Sequence, residues 1–401
     1  MTMAKLLKPN KMKKILLLIP IFHILCSCNK SEDYQEVETY PNVKAAFGNK
    51  IDLTNLYNYA NQTVPAYITK NNVGGNPITD KGATLGRVLF YDKNLSSNNT
   101  ISCASCHIQA NAFSDPVVAS VGVNGTTGRH AMRLINTRFA NETKFFWDER
   151  ASSLEIQTTQ PIQNHIEMGF SGTNGDGTMA TVIAKLQNIG YYKELFKFVY
   201  GSETITESKI QLALAQFIKS IQSFDSKYDA GRALVANDGQ NFPNFTTQEN
   251  LGKNIFLTPP VFDATSTRTS GGFGCAGCHA APEFDIDPNT KNNGIVGTIG
   301  SNVLDLTNTR APSLRDLVNQ AGNPNSPMMH TGVITTLNAA IGHYGTINTP
   351  PGNTNLDPRL KPNGVGQKLN VTATEVQAVV AFLKTLSGNN VYTDPKWSNP
   401  F

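Results

Sequence analysis

CASCH at residues 103–107 and CAGCH at residues 275–279 decide how this chain is read. In a C-x-x-C-H run two thiols add across the vinyl groups of a haem, and the histidine that follows offers a nitrogen to its iron. Cys103, Cys106 and His107 therefore form one candidate haem c attachment site, and Cys275, Cys278 and His279 a second. The chain has six cysteines, and the remaining two, Cys26 and Cys28, lie near its start, so no thiol is left for a structural disulfide. Two C-x-x-C pairs also supply the ligand set of a zinc site. The histidine after each pair and the export signal described next weigh against zinc. A thioredoxin-like redox pair fits less well, because no βαβ pattern surrounds either motif.

Compartment bears on whether haem attachment is plausible. Lys11, Lys13 and Lys14 precede an apolar run from Ile15 to Leu25 that is too short to span a bilayer and has the shape of an export signal. Leu25-Cys26-Ser27-Cys28 resembles a bacterial lipoprotein cleavage box, which implies lipidation of Cys28; ordinary signal cleavage nearby is the alternative. The expectation is a signal peptide over 1–27, a polar tether over 28–50, and a periplasmic protein held to the membrane by lipid alone, by default the outer membrane. The formal charge of +4 includes Lys5, Lys8, Lys11, Lys13 and Lys14, which leave with the signal and take the remainder to −1. Haem propionates add further negative charge. Nucleic-acid binding thus has no electrostatic basis.

The chain repeats itself. LGRVLF (Leu85–Phe90) precedes the first motif and LGKNIF (Leu251–Phe256) the second; AQFIKSIQS (Ala215–Ser223) follows the first and AFLKTLSG (Ala381–Gly388) the second. Val376, Val379, Val380, Leu383 and Leu386 recur at three and four residues, as an amphipathic helix requires, with Thr372 and Glu375 as a capping box and Gly388 as a stop. Ile210, Leu214, Phe217, Ile218 and Ile221 repeat that spacing and read as core covering a haem. The fold expected is mainly α, two cytochrome c-like haem domains with long irregular loops, over 51–235 and 236–401. Between the repeated elements stand FFWDERASSLEIQTTQPIQNHIEMGF (145–170) and PMMHTGVITTLNAAIGHYG (327–345). Aligning Leu154 with Leu337 sets Trp147 opposite His330, so the halves have diverged in function.

The two motifs, the FFWDERA-L-Q-PI-EMG block and RAPSLRDL (Arg310–Leu317) resemble the bacterial di-haem cytochrome c peroxidase family, which includes the MauG-type enzymes, over about residues 80–387. The resemblance implies two covalently bound haem c groups. Hydrogen peroxide binds at the N-terminal one, and electrons from a small donor protein, such as a monohaem cytochrome c or a cupredoxin, enter through the C-terminal one. It makes Glu167 the distal acid-base residue, Gln157 a second polar group near the pocket, and Trp147 the residue between the haems. Cleaving the O–O bond moves a proton from one oxygen to the other, which a carboxylate above the iron does as base and then acid. Glu167 sits among apolar neighbours, where desolvation raises a carboxyl pKa.

Well-studied relatives carry a distal histidine on the loop that here runs from Ser120 to Asn136. The expected place, near Val123, has none, which implies a peroxide-binding iron without a sixth protein ligand, with His130 as the candidate substitute. His130 also falls where the family has the asparagine of a calcium site between the domains. For the second iron the aligned sixth ligand is Tyr344, with Met328, Met329 and His343 as alternatives. Methionine raises the reduction potential, whereas a phenolate oxygen favours ferric and higher states. Three functions remain: a peroxidase fed by a donor protein, a MauG-like oxidase acting on a protein or organic substrate, and a di-haem electron carrier. Glu167 and Gln157 weigh against the carrier, which needs no distal acid.

Overall fold

The computed structural model describes residues 39–141, 144–286 and 288–401. The expected signal peptide, Cys28 and the first part of the tether lie outside these residues. Ten α-helices occur among the described residues: α1 Pro41–Phe47, α2 Asp80–Tyr91, α3 Leu154–Thr159, α4 Met179–Gln187, α5 Gly190–Tyr200, α6 Glu207–Ser220, α7 Lys227–Arg232, α8 Thr247–Leu257, α9 Leu337–Gly345 and α10 Ala373–Lys384. The strands form only three two-stranded ladders, so the fold is mainly helical, as expected. No described helix is long and apolar enough to cross a membrane.

The repeat is visible as two crossed helix pairs, α2 on α6 and α8 on α10. In each pair a glycine lets the backbones meet. A Cβ on Gly86 would lie 2.0 Å from the Ala213 carbonyl oxygen, and one on Gly252 would lie 1.9 Å from that of Ala378. These are the glycines of LGRVLF and LGKNIF. The aromatic partners repeat as well: Phe90 and Phe217 stand 5.1 Å apart between ring centroids, Phe256 and Phe382 5.3 Å. Caps fix the helix starts. Thr79 accepts from the Gly82 N–H, and Thr246–Glu249 and Thr372–Glu375 form capping boxes.

Two hydrophobic cores result, one around Phe90, Phe113 and Phe217, the other around Tyr228, Phe256, Phe284 and Phe382. Sequence order does not respect the first. Val391 and Trp397 return to pack in it, Tyr91 Oη donates to the Trp397 carbonyl at 2.7 Å, and Arg87 Nε to that of Ser398 at 2.6 Å. At the junction a buried ion pair joins Arg315 to Asp229 at 2.9 Å, and Tyr67 Oη donates to the same carboxylate at 2.8 Å. Burial opposes the Asp229 charge, but the Arg315 guanidinium and the Ser226 and Tyr67 hydroxyls outweigh it and hold its pKa low.

Two local expectations fail. Residues 41–47, read as tether, form α1, because Val43 and Phe47 at i and i+4 bury an apolar stripe and Glu194 accepts from the N–H groups of Asn42 and Val43. Gly388 does not stop α10, which ends at Lys384 with Thr385 as its cap. It serves packing instead: a Cβ there would lie 2.1 Å from Asp225 Oδ1.

Candidate active site

Each C-x-x-C-H motif opens a cavity. The first, about 400 Å³, is lined by Cys106, His107, Pro161, Gln157 and Glu167 among others; the second, about 510 Å³, by Cys275, Cys278, His279, Met328, Met329 and Tyr344 among others. Both motifs fold as a single 3-10 turn. Burial lowers the pKa of His107 and of His279 to about 4, so both imidazoles are neutral near pH 7. His107 Nδ1 donates to the Phe113 carbonyl at 3.3 Å, which leaves Nε2 as the free lone pair. Phe113 and Phe284 occupy matching places after the two motifs, with φ of 57° and 55°.

These residues fit haem c. None of the four motif thiols is in a disulfide. Burial pushes the thiols of Cys103 and Cys275 up to about 12. Backbone hydrogen bonds to Pro312 and Phe284 partly offset the burial of the His279 ring, as the Phe113 carbonyl does for His107. The second cavity is thus lined by a neutral imidazole and both thiols of its motif, the first by a neutral imidazole and Cys106, the groups that covalent haem ligation uses.

Glu167 lines the same cavity as His107, on a turn and not at a helix end. The Asn164 side chain accepts from Ile166 N at 2.8 Å and Glu167 N at 3.1 Å, and the Glu167 carbonyl accepts from Val123 N at 3.0 Å. Gly122 permits that approach, since a Cβ there would lie 2.0 Å from the Ile166 carbonyl oxygen. Val123, the place where relatives carry a histidine, packs toward Gly169. The backbone is therefore fixed while the Glu167 carboxyl makes no hydrogen bond to a described residue. Burial raises its pKa, opposed by Arg150. Gln157 projects from α3 into the same cavity. His165 turns elsewhere, toward Asp176 at 2.9 Å.

The two cavities share a wall. His130, Trp147, Arg310 and Pro312 line both. Trp147 Nε1 donates to the His130 carbonyl at 2.8 Å, His130 N to the His330 carbonyl at 2.7 Å, and Trp147 O accepts from Thr309 and Arg310. Trp147 and His330, paired by the repeat, face one another with ring centroids 6.1 Å apart. His130 Nδ1 donates to the Val118 carbonyl at 3.2 Å, and its Nε2 is buried without a partner. Arg129 clamps the junction through Asp148 at 2.8 Å and Asp305.

Comparison with known proteins agrees with this geometry. The family described as di-haem cytochrome c peroxidase matches residues 80–234. The methylamine utilization protein MauG of Methylophilus methylotrophus is 28% identical over 321 residues, covering 78% of this chain and 84% of its own. The cytochrome c551 peroxidase of Nitrosomonas europaea is 28% identical over 320 residues, covering 77% and 80%. The chain is thus similar to the di-haem cytochrome c peroxidase family, most directly over residues 80–234. A solved MauG-like protein associated with microbial copper homeostasis superposes with a TM-score of 0.64 at 28% identity, covering 85% of this chain and 99% of its own. Two haem c groups are what the family implies.

The second cavity is arranged differently from the first. Tyr344, Met328 and Met329 line it; His343 does not, and its Nε2 donates to the Asn293 carbonyl at 2.9 Å. Burial raises the Tyr344 pKa, opposed by the Asn293 amide. Asn293 Nδ2 donates to Tyr344 Oη at 3.0 Å and to Met329 Sδ at 3.2 Å. Sequence reasoning did not single out Asn293. It sits in a run of polar and glycine residues, Asn289 to Gly294, that carries no periodicity and no motif.

Proposed function

We propose that this protein reduces hydrogen peroxide to water, with two electrons from a small periplasmic donor such as a monohaem cytochrome c or a cupredoxin, using two cytochrome c-like haem domains. The observation that carries the reading is the half-buried, unbonded carboxyl of Glu167 in the cavity that also holds His107. The haem held by Cys103, Cys106 and His107 supplies, when bound, the iron to which peroxide coordinates and its redox chemistry. Glu167 takes the proton from the oxygen nearer the iron and returns it to the outer oxygen, which leaves as water; two electrons and two further protons complete two waters per peroxide. Such a transfer needs the anionic carboxylate first, so its raised pKa matches base to later acid. Gln157 orients the peroxide by its amide. Trp147, in both cavity walls, is the aromatic link by which electrons cross from the His279 side. Export with lipid on Cys28 belongs to the same proposal.

A MauG-like oxidase is the second reading, favoured by the tyrosine Tyr344 in the second cavity, since an oxygen ligand stabilises oxidised iron. The test is steady-state oxidation of a reduced small cytochrome c by the haem-loaded protein lacking residues 1–28, with and without peroxide, beside Glu167→Gln. Rapid peroxide-dependent oxidation lost in the variant supports the peroxidase. Slow discharge of a long-lived oxidised protein favours the oxidase.

A further inference from the structure

One residue in the second cavity, Asn293, touches every candidate for the last coordination place of the second iron except Met328. Asn293 Nδ2 is 3.0 Å from Tyr344 Oη and 3.2 Å from Met329 Sδ, and the main-chain carbonyl of Asn293 holds His343 Nε2 at 2.9 Å. A carboxamide nitrogen has two hydrogens, so the two acceptors take one each. The amide is itself oriented: Asn293 Oδ1 accepts from Ile295 N at 3.1 Å, which fixes which end of the side chain faces the cavity. The two acceptors arrive by different routes. Tyr344 comes from the last turn of α9, whereas Met329 sits at a corner with φ of 68°, a conformation costly for a non-glycine residue.

We propose that Asn293 is a positioning residue that selects between Tyr344 and Met329 as the ligand completing the coordination of the second iron. The inference rests on the reading of that cavity as a haem site and deepens it. An N–H donor on a phenol oxygen supports that oxygen as an anion, and an N–H donor on a thioether engages one of the sulfur lone pairs that would bind metal. With the amide in place the oxygen is favoured. Without its two donors, Tyr344 loses support and Met329 is released. Sequestering His343 at the carbonyl leaves the choice between oxygen and sulfur.

Asn293→Asp keeps the shape and the bond to Ile295 and removes both donors. The purified ferric holoprotein is examined by electron paramagnetic resonance and charge-transfer absorption, with potentiometry of the second haem. The expected result is loss of the oxygen-ligand signature and appearance of a sulfur-to-iron band. Met329→Leu in the same background removes that band, and the potential rises when sulfur takes over. An unchanged spectrum and potential in Asn293→Asp, with both haems bound, overturns the proposal. Tyr344→Phe in the otherwise unaltered protein should remove the oxygen-ligand signature; an unchanged spectrum there also overturns the proposal, because the oxygen is then not the ligand that Asn293 favours. Asn293→Ser is the second variant. If both variants fold yet take up no haem in the second site, Asn293 has a structural role only and the proposal fails.

Discussion

At matching places in the repeat, the first cavity has Pro161 and the second has Tyr344. The helices that lead there differ accordingly: α3 ends at Thr159 after six residues, while α9 runs nine residues and carries Tyr344 on its last turn. Proline has no N–H for the next helical bond, so α3 ends although Gln160 before it is still helical at φ −65° and ψ −41°, and the proline side chain has no donor or acceptor. The chain then turns to bring Glu167 round, and the cavity gains a carboxyl that touches no polar partner. In the second half the helix continues, and the corresponding space holds a phenol already hydrogen-bonded by Asn293. One framework of helix pair, glycine contact and C-x-x-C-H turn thus yields one cavity with an unbonded carboxyl and one with a hydrogen-bonded phenol. What separates them is where one short helix stops.

The largest test of this contrast is Glu167→Gln. Positioned proton transfer contributes on the order of 10²- to 10⁴-fold, so peroxide turnover should fall by at least about 100-fold while both haem spectra persist; retained turnover removes Glu167 from the chemistry. The likeness of the halves is tested by Gly86→Ala and Gly252→Ala. Each drives a methyl into a facing carbonyl, and overpacking costs about 1–3 kcal/mol; denaturant titration should find the two losses similar, and a strong asymmetry would break the equivalence. Tyr344→Phe should alter the low-spin spectrum and leave peroxide binding in the first cavity intact, as a titration of each haem would report. At the small end, Thr372→Ala should cost about 1 kcal/mol by loss of a cap, readable as a shifted melting transition.

The raised pKa of Glu167 gives a pH prediction with a definite sign. Its carboxyl must be ionised to accept the first proton, so turnover should fall as pH drops through a value above the ordinary carboxyl range, and Glu167→Gln should flatten that limb. Because the folded state disfavours the charged form, Glu167 contributes stability that is complete below its unfolded pKa and is lost as pH rises through the folded one. Replacing it with the neutral amide should therefore not destabilise the protein near pH 7.

Legibility varied with the kind of information each residue carries. The attachment residues Cys103, Cys106, His107, Cys275, Cys278 and His279 stood out because covalent chemistry dictates their spacing. The start of α10 was readable from Thr372 and Glu375, a purely local signal. Gly388 misled, since a glycine after an apolar run looks the same whether it ends a helix or admits the Asp225 side chain. The segment 41–47 looked like tether because only Val43 and Phe47 signal its buried face. Glu167 was found by likeness to a family block, and its turn, built on Asn164 and Gly122, has no pattern to betray it. Asn293 acts through neighbours 36 and 51 residues away, information that no local window contains.

The return of Trp397 to the first core carries a consequence for how the chain is made. Arg87 and Ser398 are 311 residues apart in sequence yet hydrogen-bonded, and contacts of such separation form late. A ribosome delivers the amino-terminal half long before it delivers the indole that plugs it. During that interval the earlier helix pair lacks its last wall, and only the segment around Trp397, delivered much later, closes the half that was synthesised first.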